Sequence, residues 1–496
     1  MNEVLEIVNL EQENVIMKRG GREQDSTGPV ARLLGRVVFS SLLVIIAITA
    51  IPYGTVQPWW IAIFECAVFV VAILAVIEVS IGKRWSGDNL KLFAPLLLLS
   101  LFVAFQSLPL FSRIGPLGLG SSLSADPYGT RLIAIRLFAL VVAALLLLRY
   151  TSNKTRLRKL IYSIIAIGIA SAFFGIMRKN LQQGSGFFLP GLTIVDRSFG
   201  QFVNRNHFAF LMEMCLGLSL GLIVAESGRH RRAMVLLPVS AFLWVALIYS
   251  NSRGGILASL CQLLLLGVML DPLNRLKKPK VATRWRLLQA LASGLAMRVF
   301  LGLCLIALFA FGVFWIGGEP VVFNFQQAAT DFSQQEMQNN VNTSRKEIWS
   351  ATWQLIKAHP VAGVGFGGYW VGITRYHNAS GAMTPQEAHN DYLELMASGG
   401  IIGCALVVWF AVMFLKRARQ TLRSPDPYYR AAGLGALIGL FGVAVHSFVD
   451  FGIHITINAL VLFGLIIIAA QGEGVAELYS GPPQRLGITR RDFDIR

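Results

Sequence analysis

The chain has 496 residues, of which 54% are hydrophobic and only 14% are charged. Soluble domains are typically about 45–50% apolar and about 25% charged, so this composition excludes an ordinary soluble protein. The formal net charge of +17 is divided among short basic clusters that alternate with apolar runs. That distribution indicates membrane topology rather than nucleic-acid recognition.

Apolar runs of roughly 17–25 residues, each long enough to cross about 30 Å of hydrocarbon, recur along the whole chain. We count about twelve, centred near residues 43, 69, 101, 140, 167, 216, 241, 262, 307, 404, 440 and 462. The sequence therefore predicts an all-α, polytopic integral membrane protein with about twelve transmembrane helices.

Basic residues concentrate in every second connection between these runs, which the positive-inside rule assigns to the cytoplasm. The first 34 residues lack the features of a cleaved signal peptide, so we expect the N-terminal tail to stay attached on that side. Of the outer connections, one is about 75 residues long and has room for helices of its own. The predicted division is an N-terminal tail (1–34), helices one to nine (35–316), a large outer loop (317–391), helices ten to twelve (392–471) and a C-terminal tail (472–496).

The large outer loop contains a helix start with two cations in its first turn. Ser344 and Glu347 have the spacing of a capping box, and His359-Pro360 predicts the helix end. Arg345 and Lys346 occupy the first turn, where the helix dipole disfavours cations unless an anion binds. The alternative is an interfacial helix whose basic side chains reach lipid headgroups.

A candidate base follows at the entrance to the tenth predicted span. Neutral imidazole of His389 can accept a proton near neutral pH, and Asp391 and Glu394 are placed to orient its ring. The alternatives are a structural histidine and two solvated carboxylates. The preceding segment, residues 363–369, is rich in glycine, which favours tight backbone turns over a nucleotide site.

Two further outer connections carry arginines close to the membrane surface. Asn204, Arg205 and Asn206 precede the sixth span, and Ser252 and Arg253 lie in the short turn before the eighth. A charge at that depth needs a partner and is a functional candidate. The alternative is an arginine that reaches out to lipid headgroups.

The last outer turn offers a second histidine–carboxylate combination. His446 and Asp450 are four residues apart and would share a helix face, and with His389 they are a possible metal site. We expect no metal and no cofactor. Glu213, inside the sixth span, is a candidate partner for one of the arginines, with a structural pairing as the favoured role.

These residues resemble the bacterial O-antigen ligase and O-antigen polymerase family over residues 195–460. His389-Asn390, followed by nine residues, Gly400, two residues and Gly403, fits the histidine motif of the ligases. An Arg-x3-Trp element at Arg345–Trp349, the triplet 252–254 and the entrance at 200–209 are also similar to the family.

The resemblance implies a GT-C-like fold with one large helical periplasmic loop in the bacterial inner membrane, and the active site facing the periplasm. It implies an inverting, metal-independent glycosyltransferase of lipopolysaccharide or surface polysaccharide biosynthesis. The donor would be a glycan on undecaprenyl diphosphate, and the acceptor a sugar hydroxyl on lipid A-core or another glycan. His389 would be the base, and Arg205, Arg253 and Arg345 would bind the diphosphate. The supporting residues would be Asn204, Asn206, Ser252, Lys346, Asn390, Asp391, His446 and Asp450.

Three alternatives stay open. Ligases and repeat-unit polymerases share the donor and differ in the acceptor, and the stretch 446–459 is similar to members from exopolysaccharide clusters. Transfer of the glycan to protein is a further possibility within this class. A transporter of lipid-linked glycans is less favoured, because it would place ionisable groups near the midplane and often contain internal repeats.

Overall fold

A computed structural model describes residues 28–51, 53–82, 88–110, 122–151, 153–181, 198–225, 230–275, 345–378 and 384–472. Within these ranges the protein is helical, with thirteen α-helices, two 3-10 turns and no strand beyond an isolated bridge between Phe199 and Phe202. The all-α prediction is confirmed. The helices are α1 (Pro29–Thr49), α2 (Pro58–Gly82), α3 (Asp88–Gln106), α4 (Pro127–Tyr150), α5 (Lys154–Leu181), α6 (Arg205–Ala225), α7 (His230–Tyr249), α8 (Arg253–Arg275), α9 (Arg345–Ala358), α10 (Tyr369–Gly372), α11 (Asp391–Thr421), α12 (Pro427–His446) and α13 (Thr456–Ala470).

Eleven of the twelve predicted span centres fall inside these helices, and the twelfth, near residue 307, lies outside the described residues. Seven helices are long and apolar enough to cross a membrane: α1, α2, α4, α5, α6, α11 and α12. Helices α3, α7, α8 and α13 contain shorter apolar stretches of 10–17 residues. The chain is a multi-pass membrane protein, and the predicted domain boundaries stay predictions.

Helices α6 and α12 form the centre of the bundle and touch through glycine. A Cβ built on Gly217 of α6 would lie 2.3 Å from the backbone nitrogen of Gly439 in α12, and one on Gly221 would lie 2.3 Å from Cα of Gly435. Small residues let helix backbones approach this closely in membranes. The contact fixes the start of α6 against the end of α12, which is where the candidate site lies.

Helix α11 is broken at Gly400, one of the two glycines of the histidine motif. Gly400 has φ 58° and ψ −159°, a conformation that favours glycine. Segment 360–366 closes the break, because Val364 N–H donates to Ala397 O at 2.9 Å and Ile401 N–H donates to Pro360 O at 2.9 Å. The glycine-rich segment therefore has the expected tight backbone and packs against this break. We call residues 360–366 the clasp.

The clasp is also tied to α3. The buried side chain of Gln106 donates from Nε2 to Ala362 O at 2.7 Å and to Ser398 O at 3.0 Å. One amide thus joins the end of α3, the clasp and the break in α11. Ser398 O, next to the break, thus accepts from Gln106 as well as from Gly365 N–H at 3.0 Å.

Candidate active site

His389 has a backbone conformation that few residues other than glycine adopt. Its φ is 50°, in the left-handed region, which costs of order 1–3 kcal/mol. The next residue holds it there: Asn390 caps α11 by accepting from Tyr392 N–H at 3.0 Å, and donates from Nδ2 to Phe448 O at 2.9 Å. The strain at His389 is therefore imposed by the helix cap and by the turn after α12.

The carboxylate of Asp450 faces the imidazole of His389. Nδ1 of His389 lies 3.3 Å from Oδ1 of Asp450, and the two side chains are 36% and 1% exposed. Such a carboxylate keeps the proton on Nδ1 and leaves the Nε2 lone pair to accept a proton. The edge-on ring of Phe451, 4.9 Å away between centroids, packs against the imidazole. The pair is arranged as a base with its positioning carboxylate.

Asp450 is surrounded by donors. Asn206 Nδ2 donates to its Oδ2, Phe451 N–H donates to Oδ1 at 2.9 Å, and the Arg345 guanidinium lies 3.7 Å from Oδ2. Burial alone would raise the pKa of Asp450, but the hydrogen bond and charge of His389, with the charges of His207 and His446, lower it below its ordinary value. Asp450 is therefore an anion at the centre of the site.

The expectation that Asp391 and Glu394 orient the His389 ring is wrong. Asp391 accepts from Ser447 Oγ at 2.6 Å, and Oε2 of Glu394 accepts from Ala388 N–H at 2.9 Å. These carboxylates contact residues next to His389 in the sequence or in the adjoining turn. The carboxylate that contacts the imidazole ring is that of Asp450, in the turn after α12.

His446 does not form the expected pair with Asp450. Its Nδ1 lies 2.7 Å from Oε1 of Glu213, both side chains are fully buried, and the ring stacks on Phe210 at 4.1 Å. The physical reason is that Glu213 and Phe210 of α6 hold the His446 ring, although Asp450 N–H still donates to His446 O at 3.1 Å. Glu213 likewise pairs with a histidine rather than with an arginine, and His389, His446 and Asp450, the less favoured metal site, are not brought together as a ligand group in the described part of the chain.

The three candidate arginines are each the first residue of a helix: Arg205 of α6, Arg253 of α8 and Arg345 of α9. Asn206 connects two of these starts, because Ser252 Oγ donates to its Oδ1 at 2.8 Å while its Nδ2 reaches Asp450. Helix N-termini carry partial positive charge and favour anions. The starts of α6 and α8 therefore meet at Asn206, which contacts Asp450, and the carboxylate of Asp450 also lies beside Arg345 and His389.

The α9 segment differs in part from the sequence interpretation. Helix α9 ends at Ala358, as His359-Pro360 predicts, whereas Ser344 of the proposed capping box lies outside the described residues. Arg345 is half exposed and has a protein partner in Asp450, so a bound ligand is not required to offset its position. Lys346 is exposed.

Trp349 is a positioning residue whose contact sequence reasoning missed. Its Nε1–H donates to Ala388 O at 3.0 Å, which ties α9 to the residue before His389. The Arg-x3-Trp element thus makes two contacts with the site. Arg345 contacts Asp450, and Trp349 contacts the segment that contains His389. The Arg-x3-Trp spacing marked both residues in the sequence. It did not predict which residues they contact.

A further cluster, of the histidine His454 and three carboxylates, lies next to the site. Ligand atoms of Glu387, Glu394 and His454 all lie within 4.8 Å of one another, and His454 Nε2 lies 3.6 Å from Asp391. Burial lowers the pKa of His454, but Glu394, Glu387 and Asp391 raise it well above its ordinary value. His454 is then an imidazolium paired with Glu387, whose Oε2 lies 3.3 Å from its Nδ1. If His454 were deprotonated, the same atoms could hold a cation; the expected absence of a metal stays a prediction.

Residues 238–408 match the family model described as O-antigen ligase. The matched range contains Arg253, Arg345 and His389, and ends before Asp450. None of the curated proteins matches the chain.

Proposed function

We propose that this chain, whose residues 238–408 match the family model described as O-antigen ligase, acts in surface polysaccharide biosynthesis and transfers a glycan from undecaprenyl diphosphate to a sugar hydroxyl. The reaction is of the ligase type, with a sugar hydroxyl of lipid A-core or of another glycan as acceptor. It takes place at the periplasmic face of the bacterial inner membrane. The observation that carries the proposal is the contact of His389 with the buried carboxylate of Asp450, beside Arg345.

His389 is the general base of this reaction. Its Nε2 takes the proton of the acceptor hydroxyl as the oxygen attacks the anomeric carbon of the donor sugar. The bond between that carbon and the phosphate oxygen breaks, so the anomeric configuration inverts in one displacement. Asp450 holds Nδ1–H throughout and stabilises the imidazolium that forms. No metal takes part.

The departing undecaprenyl diphosphate gains a negative charge as the bond breaks. Arg205, Arg253 and Arg345 hold the diphosphate and stabilise that charge, since guanidinium groups bind phosphate oxygens in a bidentate way and stay charged. Asn204 and Lys346 extend the polar rim of this site. Asn206 and Ser252 keep the helix starts together, and Asn390 and Asp391 fix the base.

The test is transfer by the purified protein from a lipid-linked glycan donor, with His389→Ala compared with the wild type. The expected result is a loss of transfer of about 10²–10⁴-fold, typical of removing a general base, with donor binding retained. His377, a buried histidine of the same loop, provides the matched control as His377→Ala. Transfer near the wild-type rate in His389→Ala would show that His389 is not the base.

The acceptor is tested separately, by the surface glycans and the undecaprenyl-linked pool of a deletion strain. Long polymer left on the lipid carrier, with bare core lipopolysaccharide, is the result expected of a ligase. Single repeat units without a ladder would instead identify a polymerase. Unchanged lipopolysaccharide would point to exopolysaccharide polymerisation or protein glycosylation.

A further inference from the structure

A cavity lined by basic residues lies at the opposite ends of the helices from the candidate active site. It lies between α1 and the connection from α4 to α5, has a volume of about 680 Å³, and is lined by Arg36, Lys154, Arg156 and Lys159 among others. A smaller neighbouring cavity of about 320 Å³ shares Arg36 and Arg156. No acidic residue is among the described residues that line the larger cavity.

The nearby carboxylates already have partners. Glu78 accepts from Tyr150 Oη at 2.9 Å and lies 3.3 Å from Arg149. Asp426 pairs with Lys154 and caps α12 by accepting from Tyr428 N–H at 2.7 Å. Within the described part of the chain, Arg36 and Lys159 have no ion pair with a carboxylate, whereas the charge of Glu78, which lines the smaller cavity, also acts on Arg156. The cavity has a net positive charge.

The geometry of Arg156 distinguishes this cluster from basic residues scattered over a membrane surface. Its guanidinium donates to Tyr150 O at 3.1 Å and to Gly35 O at 3.3 Å, and lies 5.3 Å above the ring of Phe39. The start of α5, where Asn153 Oδ1 accepts from Arg156 N–H at 2.9 Å, lines the same cavity. A fixed guanidinium and a helix N-terminus are both suited to phosphate oxygens.

The positive-inside rule alone accounts for basic residues at these helix ends, but not for their convergence on one cavity. We propose that this cavity binds the phosphate headgroup of an anionic phospholipid. A soluble phosphate has the same chemistry, but a lipid is favoured because exposed apolar side chains of α1, Leu33 and Val37, continue from Arg36 and can contact acyl chains. Basic pockets between transmembrane helices bind such headgroups in other membrane proteins. The site lies apart from the transfer reaction and does not depend on it.

The experiment is native mass spectrometry of the full-length protein titrated with phosphatidylglycerol or with phosphatidylcholine. The test variant is the double substitution Arg36→Gln with Lys159→Gln, because both side chains are exposed. The control is Arg419→Gln with Arg423→Gln, which removes the same charge near the end of α11 on the same side of the bundle. Phosphatidylglycerol should bind more tightly than phosphatidylcholine to the wild type, and its affinity should fall about fivefold per residue, or about 25-fold in the test variant. The control should stay within about twofold.

Equal losses in the two double variants would overturn the proposal, since they would show a general effect of surface charge. Displacement of the lipid by millimolar inorganic phosphate would overturn the lipid assignment and identify a soluble phosphate ligand. If the double variant lacks a thermal unfolding transition, Lys159→Gln alone provides the same test, with an expected loss of about fivefold.

Discussion

Asp450 is the residue on which the proposed chemistry depends most, because it contacts the base and is itself held by a donor from α6 and by Arg345. Asp450→Asn keeps the size of the side chain but removes its charge and its preference for Nδ1–H. Replacement of the equivalent carboxylate in a serine protease triad lowers kcat about 10⁴-fold, and we expect a loss of about 10²–10⁴-fold here.

The matched control for that substitution is Asp391→Asn, a carboxylate of the same site that contacts Ser447 rather than the imidazole. We expect its transfer rate to stay within about tenfold of the wild type, since its carboxylate contacts Ser447 and His454, and asparagine can still accept the hydrogen bond of Ser447 Oγ. The readout is kcat and KM over a range of pH. Equal losses in both variants, with the same pH profile, would contradict a specific role for Asp450.

His454 makes the stability of the protein depend on pH in a defined direction. Its pKa is raised in the folded protein, so its stabilising contribution is complete below the unfolded value of about 6.5 and is lost as pH rises through the folded pKa. The unfolding temperature of the wild type should therefore fall as pH is raised above about 6.5. In His454→Gln that fall should be smaller, and thermal unfolding in detergent measures both. An identical pH dependence in the two proteins would contradict the ion-pair assignment.

The local structure of α11 explains why the histidine motif has these residues at this spacing. Its first half places His389 beside a capped helix start, and its second half contains the break at Gly400 and the neighbouring Gly403. A Cβ on Gly400 would lie 2.4 Å from Val361 O, whereas one on Gly403 would meet the Phe366 ring at 3.7 Å. The two motif glycines therefore differ in whether a side chain can be added: Gly403 has room for a Cβ, and Gly400 does not.

We expect Gly400→Ala to destabilise the fold by about 1–3 kcal/mol or more, because alanine would have to adopt a positive φ against the backbone of the clasp. Gly403→Ala should be close to neutral, since its contact is an ordinary van der Waals distance. Thermal unfolding of the two variants measures the difference. Equal destabilisation would show that the break does not depend on the conformation of Gly400.

At the scale of the whole molecule, the sequence predicted the elements much better than their contacts. Apolar length and basic clusters are local signals, and they located eleven helices of the bundle. The pairing of His389 with Asp450 spans 61 positions, and that of His446 with Glu213 spans 233. Such contacts depend on how helices pack, which the glycine contact of α6 with α12 determines and which no local pattern specifies. His389 and Arg345 were found because their residue types at helix starts are local signals and a family motif also marks them, whereas the contact of Trp349 with Ala388 was missed.

A further prediction concerns metal ions and applies to the whole enzyme. Transfer by the purified protein should be unchanged after treatment with EDTA, because proton transfer by His389 and charge stabilisation by the arginines need no metal. If EDTA abolished transfer and Mg²⁺ or Mn²⁺ restored it, the cluster of Glu387, Glu394 and His454 would be the first candidate for the ion. Glu394→Gln would then lose the response to added metal.

Helix α11 also bears on the height of the proposed chemistry above the bilayer. The helix has 31 residues, or about 46 Å at 1.5 Å per residue, which exceeds the hydrocarbon thickness of about 30 Å. Its basic end begins at Lys416, so the roughly 20 residues before it, from Met396 to Leu415, match that thickness. On the proposed function, His389 therefore belongs roughly one headgroup layer above the acyl chains. A polyprenyl tail can remain in the lipid while its diphosphate and sugar rise to meet an acceptor arriving from water.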